Sequence, residues 1–171
     1  MASGRIQSLI TAALVLISGV AQAQTTYYYS GHQCQWYDGS VPKLQYSAYG
    51  LVNMNSTGWR GAYCPADGYV NSNLVTINSS TVVYYDGAST QSVSCTWEMT
   101  NWDGSLYWSP TLSSCSDYGG CSYDANPGFT GIGQLNFTNP IGRSLYPLNI
   151  TAQCLVPYWS TIYGYNMTTA Q

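Results

Sequence analysis

Between Gln91 and Thr100 the chain reads QSVSCTWEMT, and apolar and polar residues change places at every step. Val93, Cys95, Trp97 and Met99 fall on one side of an extended backbone, and Ser92, Ser94, Thr96 and Glu98 on the other. Successive side chains of a strand point to opposite faces, so this is a strand with one face in a core and one toward water. Residues 146–156, YPLNITAQCLV, repeat the pattern, with Tyr146, Leu148, Ile150, Ala152, Cys154 and Val156 set against Asn149, Thr151 and Gln153. After residue 24 no window places apolar residues at i, i+3, i+4 and i+7 over three turns, so helices are not the building element.

Further strands are predicted over Lys43–Val52, Tyr69–Ile77, Thr81–Tyr85, Leu106–Ser109, Gln134–Thr138 and Thr161–Met167. Asp-Gly pairs at Asp38, Asp67, Asp86 and Asp103 punctuate the chain, and both residues tolerate the positive φ of tight hairpin turns. The clearest hairpin is EMTNWDGSLYW, with Asp103-Gly104 at its tip. The stretch from Pro110 to Gly133 reads as one long excursion, of the kind that is often functional. The expected fold is all-β: an antiparallel β-sandwich of about eight short strands, with a closed β-barrel as the alternative.

Both alternating strands carry a cysteine on the apolar face, and its redox state depends on the compartment. Residues 1–23 have one early base, Arg5, an apolar run from Leu9 to Ile17, and an Ala21-Gln22-Ala23 end. These are the parts of a secretory signal peptide, and the run is far short of the ~20 residues of a membrane-spanning helix. Residues 24–171 are then one exported domain, at the periplasm, the cell surface or outside the cell. All six cysteines lie in it, and an even count in an oxidising compartment reads as a disulfide framework. Of the 15 possible pairings, the preferred set is Cys115–Cys121 as a local loop staple, Cys95–Cys154 between the two alternating strands, and Cys34–Cys64 by elimination. Zinc is a poor fit, because the cysteine gaps are mostly long and His32 is the one histidine.

Charged residues are 6% of the chain, and past the leader three bases (Lys43, Arg60, Arg143) face seven acids. That excludes the clustered Lys and Arg on which nucleic-acid binding rests. Acid–base chemistry is also thinly supplied. His32 stands two residues before Cys34, and no G-x-S-x-G elbow occurs. Glycoside hydrolysis needs two carboxylates, for which Glu98 with Asp103 is the available pair. Asp117, Asp124 and Asn126 could offer oxygens to calcium, but not at EF-hand spacing. No cofactor or metal is expected.

Seventeen tyrosines and six tryptophans remain. Such rings have an apolar body and a polar tip. They fill cores, or they serve as flat platforms for sugar rings, whose faces are apolar patches ringed by hydroxyls. In NWDGSLYW, Trp102, Asp103, Tyr107 and Trp108 surround one hairpin and form the candidate ligand site. Trp59 and Trp159 are further loop candidates. The expectation is a non-catalytic secreted or surface-associated domain with a structural or interaction role. A carbohydrate-binding module is the first alternative and a small glycoside hydrolase the second. The partner would be an extracellular glycan or protein.

The cysteine-bearing segments resemble a loose group of small, mostly uncharacterised secreted bacterial proteins. The matching stretches are GLVNMNS at Gly50–Ser56, Cys64-Pro65, VVYYD at Val82–Asp86 followed by Cys95, and CLVP at Cys154–Pro157 followed by IYGY at Ile162–Tyr165. The resemblance spans most of residues 24–171. It implies an exported, disulfide-bonded β domain and names no activity. The Cys115–Cys121 loop looks like an addition to it.

Overall fold

The computed structural model describes residues 24–37, 46–55, 58–66, 74–88, 91–101, 103–114, 131–145 and 147–170. The leader and the Cys115–Cys121 loop lie outside these residues. The described residues form twelve strands: β1 (Gln24–Ser30), β2 (Gln35–Trp36), β3 (Tyr46–Ser47), β4 (Gly50–Val52), β5 (Arg60–Pro65), β6 (Leu74–Asp86), β7 (Ser94–Asn101), β8 (Leu106–Trp108), β9 (Leu112–Ser113), β10 (Gly131–Leu145), β11 (Pro147–Val156) and β12 (Thr161–Ala170). A single 3₁₀ turn, Gly31–Gln33, follows β1.

Two antiparallel sheets pack face to face. The first runs β10-β6-β12-β4-β3 with β1 also on β12, and the second runs β2-β5-β11-β7-β8 with β9 also on β7. No ladder joins the two sheets among the described residues, so this is a sandwich and not a closed barrel. The alternation dictates which faces meet. Trp97 and Met99 of β7, Ile150, Ala152 and Val156 of β11, and Ala62 of β5 are buried on one side. Val82 and Tyr84 of β6, Leu135 and Phe137 of β10, and Tyr165 and Met167 of β12 meet them from the other. Trp97 contributes an edge-to-face contact with Tyr165 across the layers, with ring centroids 6.2 Å apart. Tyr165 stacks on Tyr29 of β1 at 4.9 Å. Both tyrosine hydroxyls cross to the second sheet, Tyr29 donating to the Ala66 carbonyl and Tyr165 to that of Pro65. Each fully buried large apolar chain of this kind is worth about 1.5–3 kcal/mol.

Two of the three expected disulfides are present, Cys34–Cys64 and Cys95–Cys154. Both link neighbours within the second sheet. Cys95 and Cys154 are direct partners across β7 and β11, and Cys34 stands one step before the Gln35–Tyr63 rung of β2 and β5, opposite Cys64. All four sulfurs face the core. Two oxidised pairs fit an oxidising environment outside the cytosol. Among the described residues no helix is long and apolar enough to cross a membrane.

The structure corrects several local expectations. Leu74–Ile77, the described part of the strand expected over Tyr69–Ile77, and Thr81–Tyr85 belong to the one strand β6, and β10 extends well beyond Gln134–Thr138. The polar run Asn78–Ser80 reads as punctuation in sequence, yet here it has β10 on one side and β12 on the other to take its backbone groups. Lys43–Val52 is divided by a turn at Ala48-Tyr49 into β3 and β4. Gly50 there sits at φ 150°, where a Cβ would lie 2.0 Å from the Ile162 carbonyl oxygen. Strand β1 was not anticipated. Asp86-Gly87 is not a hairpin turn either, because the chain crosses there from β6 in the first sheet to β7 in the second. Asp86 is instead fully buried, accepting from the backbone of Ala88 (3.0 Å) and Val93 (3.2 Å) and from the hydroxyls of Ser114 and Ser160. It pins three separate segments at one end of the sandwich.

Candidate functional site

The alternation that buries one face of the second sheet turns the other outward. Cross-strand rungs then fix its pattern. Tyr63 of β5, Gln153 of β11 and Thr96 of β7 stand side by side. The next rung toward one end joins Pro65, Thr151, Glu98 and Trp108. The next toward the other joins Gly61, Leu155, Ser94 and Ser113. Tyr37, just past β2, continues that rung through a 2.7 Å hydrogen bond from its N–H to the Gly61 carbonyl. Gly61 eases this approach, since a Cβ there would come 3.1 Å from the Tyr37 Cβ, a tight contact.

Two hollows lie on this face. One, of about 590 Å³, is lined by Tyr37, Leu155, Ser94, Thr96, Gln153 and Trp108 among others. The second, of about 400 Å³, is lined by Gln35, Tyr63, Pro65, Glu98, Asn149 and Thr151. Gln153 lines the first and Glu98 the second, and the Gln153 amide donates to the Glu98 carboxylate. The hollows therefore meet at this hydrogen bond. Together they form a cleft that runs across the strands.

Its aromatic furniture is concentrated at the two ends. At the β2 end Tyr37 stacks on Tyr63, with centroids 4.0 Å apart and planes 15° from parallel. At the β8 end Trp108 is half exposed. Between them the first hollow presents mostly apolar surface, with the hydroxyls of Ser94, Thr96, Ser109 and Thr111 and the Gln153 amide set into it, and the second hollow is the more polar of the two. Partial burial pushes the Tyr63 phenol up to about 12, and the Tyr37 hydroxyl and the Glu98 charge add to it. Tyr63 thus remains a neutral hydroxyl, able to donate and accept, throughout the physiological range.

The expected hairpin forms as read. Asn101 and Ser105 close it (2.9 Å), and Gly104 takes φ 81° at the tip. The four residues proposed around it do not share one surface. Trp102 lies outside the described residues. Asp103 is occupied by its own turn, accepting from the Ser105 N–H (2.9 Å) and hydroxyl (2.6 Å), and these bonds hold its carboxyl below the usual range. Tyr107 is the rung partner of buried Met99, so it points to the opposite side of the sheet from Trp108. Of the three described residues Trp108 lines the cleft. Trp59 and Trp159 are exposed but line neither hollow. His32 sits in the 3₁₀ turn, its backbone N–H donating to the Ser30 hydroxyl at 3.2 Å.

The residues that sequence reasoning missed are Tyr37, Tyr63 and Gln153. A signal for two of them was present. Tyr63 precedes Cys64, and Gln153 precedes Cys154, so each must face away from the sulfur beside it. No group of three His, Cys, Asp or Glu among the described residues could hold a metal ion. The possible calcium ligands Asp117, Asp124 and Asn126 lie outside those residues.

Compared with known proteins, the chain matches no family, no curated protein and no solved structure. The cleft must be read from its own chemistry.

Proposed function

We propose that this chain is an exported, non-catalytic β-sandwich that binds carbohydrate in the cleft on the outer face of its second sheet. The observation that carries the reading is a mostly apolar groove, studded with hydroxyls and the Gln153 amide, with the Tyr37–Tyr63 stack at one end and exposed Trp108 at the other. Sugar rings offer apolar faces to aromatic platforms and hydroxyls to groups such as Gln153, Thr96 and Ser94. Pockets of this size with a few convergent polar groups are the usual form of ligand sites. Export is supported by the leader-like residues 1–23 and by the disulfides, and the resemblance to small secreted bacterial proteins points the same way.

The non-catalytic part of the proposal rests on the lining. Glycosidases of the common kind place two carboxylates across the scissile bond, whereas Glu98 is the one carboxylate among the residues lining the two hollows. Asp103, its partner in the hydrolase reading, is turned to Ser105 at the hairpin tip. A second reading, a protein-interaction module, is favoured by β1. Among the described residues this uncharged strand is paired on one edge only, and Tyr28 on it is 79% exposed. Such an edge can accept another strand.

The test is a broad glycan array followed by calorimetric titration of any hit. The chain should bind, and Trp108→Ala and Tyr37→Ala should each weaken binding about tenfold, roughly 1.4 kcal/mol. A silent array, or turnover of any polysaccharide, would count against the proposal.

A further inference from the structure

The cleft's charge and its direction say more about the ligand than that it is a sugar. This step rests on the carbohydrate reading above. Glu98 lines the second hollow, and among the described residues no lysine or arginine lines either. Arg60, the nearest base along β5, is turned to the Trp36 ring, 5.7 Å from its centroid. A carboxylate or sulfate on a bound sugar would therefore meet a like charge with no cation to offset it. A neutral sugar would instead offer hydroxyl donors to Glu98 and to the Gln153 carbonyl oxygen.

Direction follows from the strand order. The first hollow runs from Tyr37, beside β2, to Trp108 on β8, and these are the two terminal strands of the β2-β5-β11-β7-β8 path. Four inter-strand steps of about 4.8 Å make about 19 Å, the length of about four linked sugar rings. A mono- or disaccharide can touch one aromatic end. A tetrasaccharide can touch both.

The geometry points to a stretch of about four units of a neutral, linear glycan as the ligand of this cleft, with Glu98 discriminating against acidic glycans. Calorimetric titration of the full exported chain tests both parts. The probes are neutral gluco-, xylo- and manno-oligosaccharides of increasing length, and oligogalacturonates of matched length at low salt. Affinity in one neutral series should rise about tenfold from the disaccharide to the tetrasaccharide and then level off, because the second aromatic end is engaged only then. Oligogalacturonates should bind about tenfold more weakly than the matched neutral series, and Glu98→Gln should bring the ratio of the two affinities close to one even though it also removes an acceptor for neutral sugars. A disaccharide that binds as tightly as the hexasaccharide overturns the length assignment. Oligogalacturonates that bind as well as the neutral series, or a gap that survives Glu98→Gln, overturn the charge assignment. Both results leave the carbohydrate reading standing. Binding to none of these probes or to any arrayed glycan removes that reading, and this inference with it.

Discussion

Replacing Cys95 and Cys154 together by alanine removes a bond whose energetic weight can be worked from the chain path. The two sulfurs are 59 residues apart. Cross-linking a loop of that length removes denatured-state entropy worth about 4 kcal/mol at 25 °C. Cys34 and Cys64 are 30 residues apart. Halving a loop reduces its closure entropy by about 0.6 kcal/mol, so the matched Cys34→Ala/Cys64→Ala protein should lose slightly less. The two loops follow one another in sequence without overlapping, so the losses should add to about 7–8 kcal/mol, against the 5–15 kcal/mol of total stability common to single domains. The protein lacking both bonds should therefore be at or beyond the edge of folding. Urea unfolding followed by tryptophan fluorescence reads these losses, and a steeper denaturant dependence should accompany them as the unfolded chain becomes less restricted. A loss below about 1 kcal/mol for the Cys95/Cys154 pair would refute the reasoning, because the β7–β11 ladder would then be holding that loop without help. So would a Cys34/Cys64 loss larger by more than about 1 kcal/mol, since it inverts the loop-length order.

Other consequences are local. Asp86→Asn puts an amide donor where the Val93 and Ala88 N–H groups and two serine hydroxyls point, and should cost about 3 kcal/mol in a urea series, whereas Asp103→Asn at the exposed turn should cost under about 1 kcal/mol. Equal losses would mean that burial of the Asp86 cluster carries no special weight. Trp159 holds φ 58°, a left-handed conformation that a Cβ makes unfavourable. Trp159→Gly should accordingly be more stable than Trp159→Ala by about 1 kcal/mol, and the reverse order would deny the strain. The Tyr63 phenol is raised from the ordinary 10 to about 12. The folded state thus favours the neutral phenol, and its contribution is intact below pH 10 and lost as pH climbs through about 12. The difference between ultraviolet titrations of the native protein and of Tyr63→Phe should show one phenol ionising near pH 12. A difference centred at the ordinary value of 10 would contradict the environment assigned to Tyr63.

Much of the architecture was legible because a strand's side-chain period is two. From QSVSCTWEMT and YPLNITAQCLV alone, Trp97, Met99, Ile150 and Val156 belong inside, Glu98 and Gln153 belong outside, and the two cysteines share a buried face. The Asp103-Gly104 hairpin was equally local, since the positive φ at Gly104 is a property of that residue. Where neighbours outvoted local chemistry the reading failed. Asn78–Ser80 looks like a turn, but β10 and β12 on its two sides satisfy the backbone as strand. Asp86-Gly87 looks like a hairpin, but the chain passes between sheets there and the carboxylate is drawn inward by donors as far away in sequence as Ser160.

The cleft belongs wholly to this second kind. Periodicity says which way a side chain points and nothing about which strand lies alongside. Tyr37, Tyr63, Trp108 and Gln153 are scattered over more than a hundred residues, and only the order β2-β5-β11-β7-β8 sets them on one surface. Tyr107 lies on the far side of the sheet from its neighbour Trp108 by the period of two alone. Sequence by itself determined the all-β class, the inward faces of the two alternating strands and a preference for the two cysteine pairs that form, because a strand's side-chain period is two and an even cysteine count reads as paired. The tertiary pairing decided where a ligand could lie, because a groove across a sheet is made of long-range rungs that no local pattern encodes.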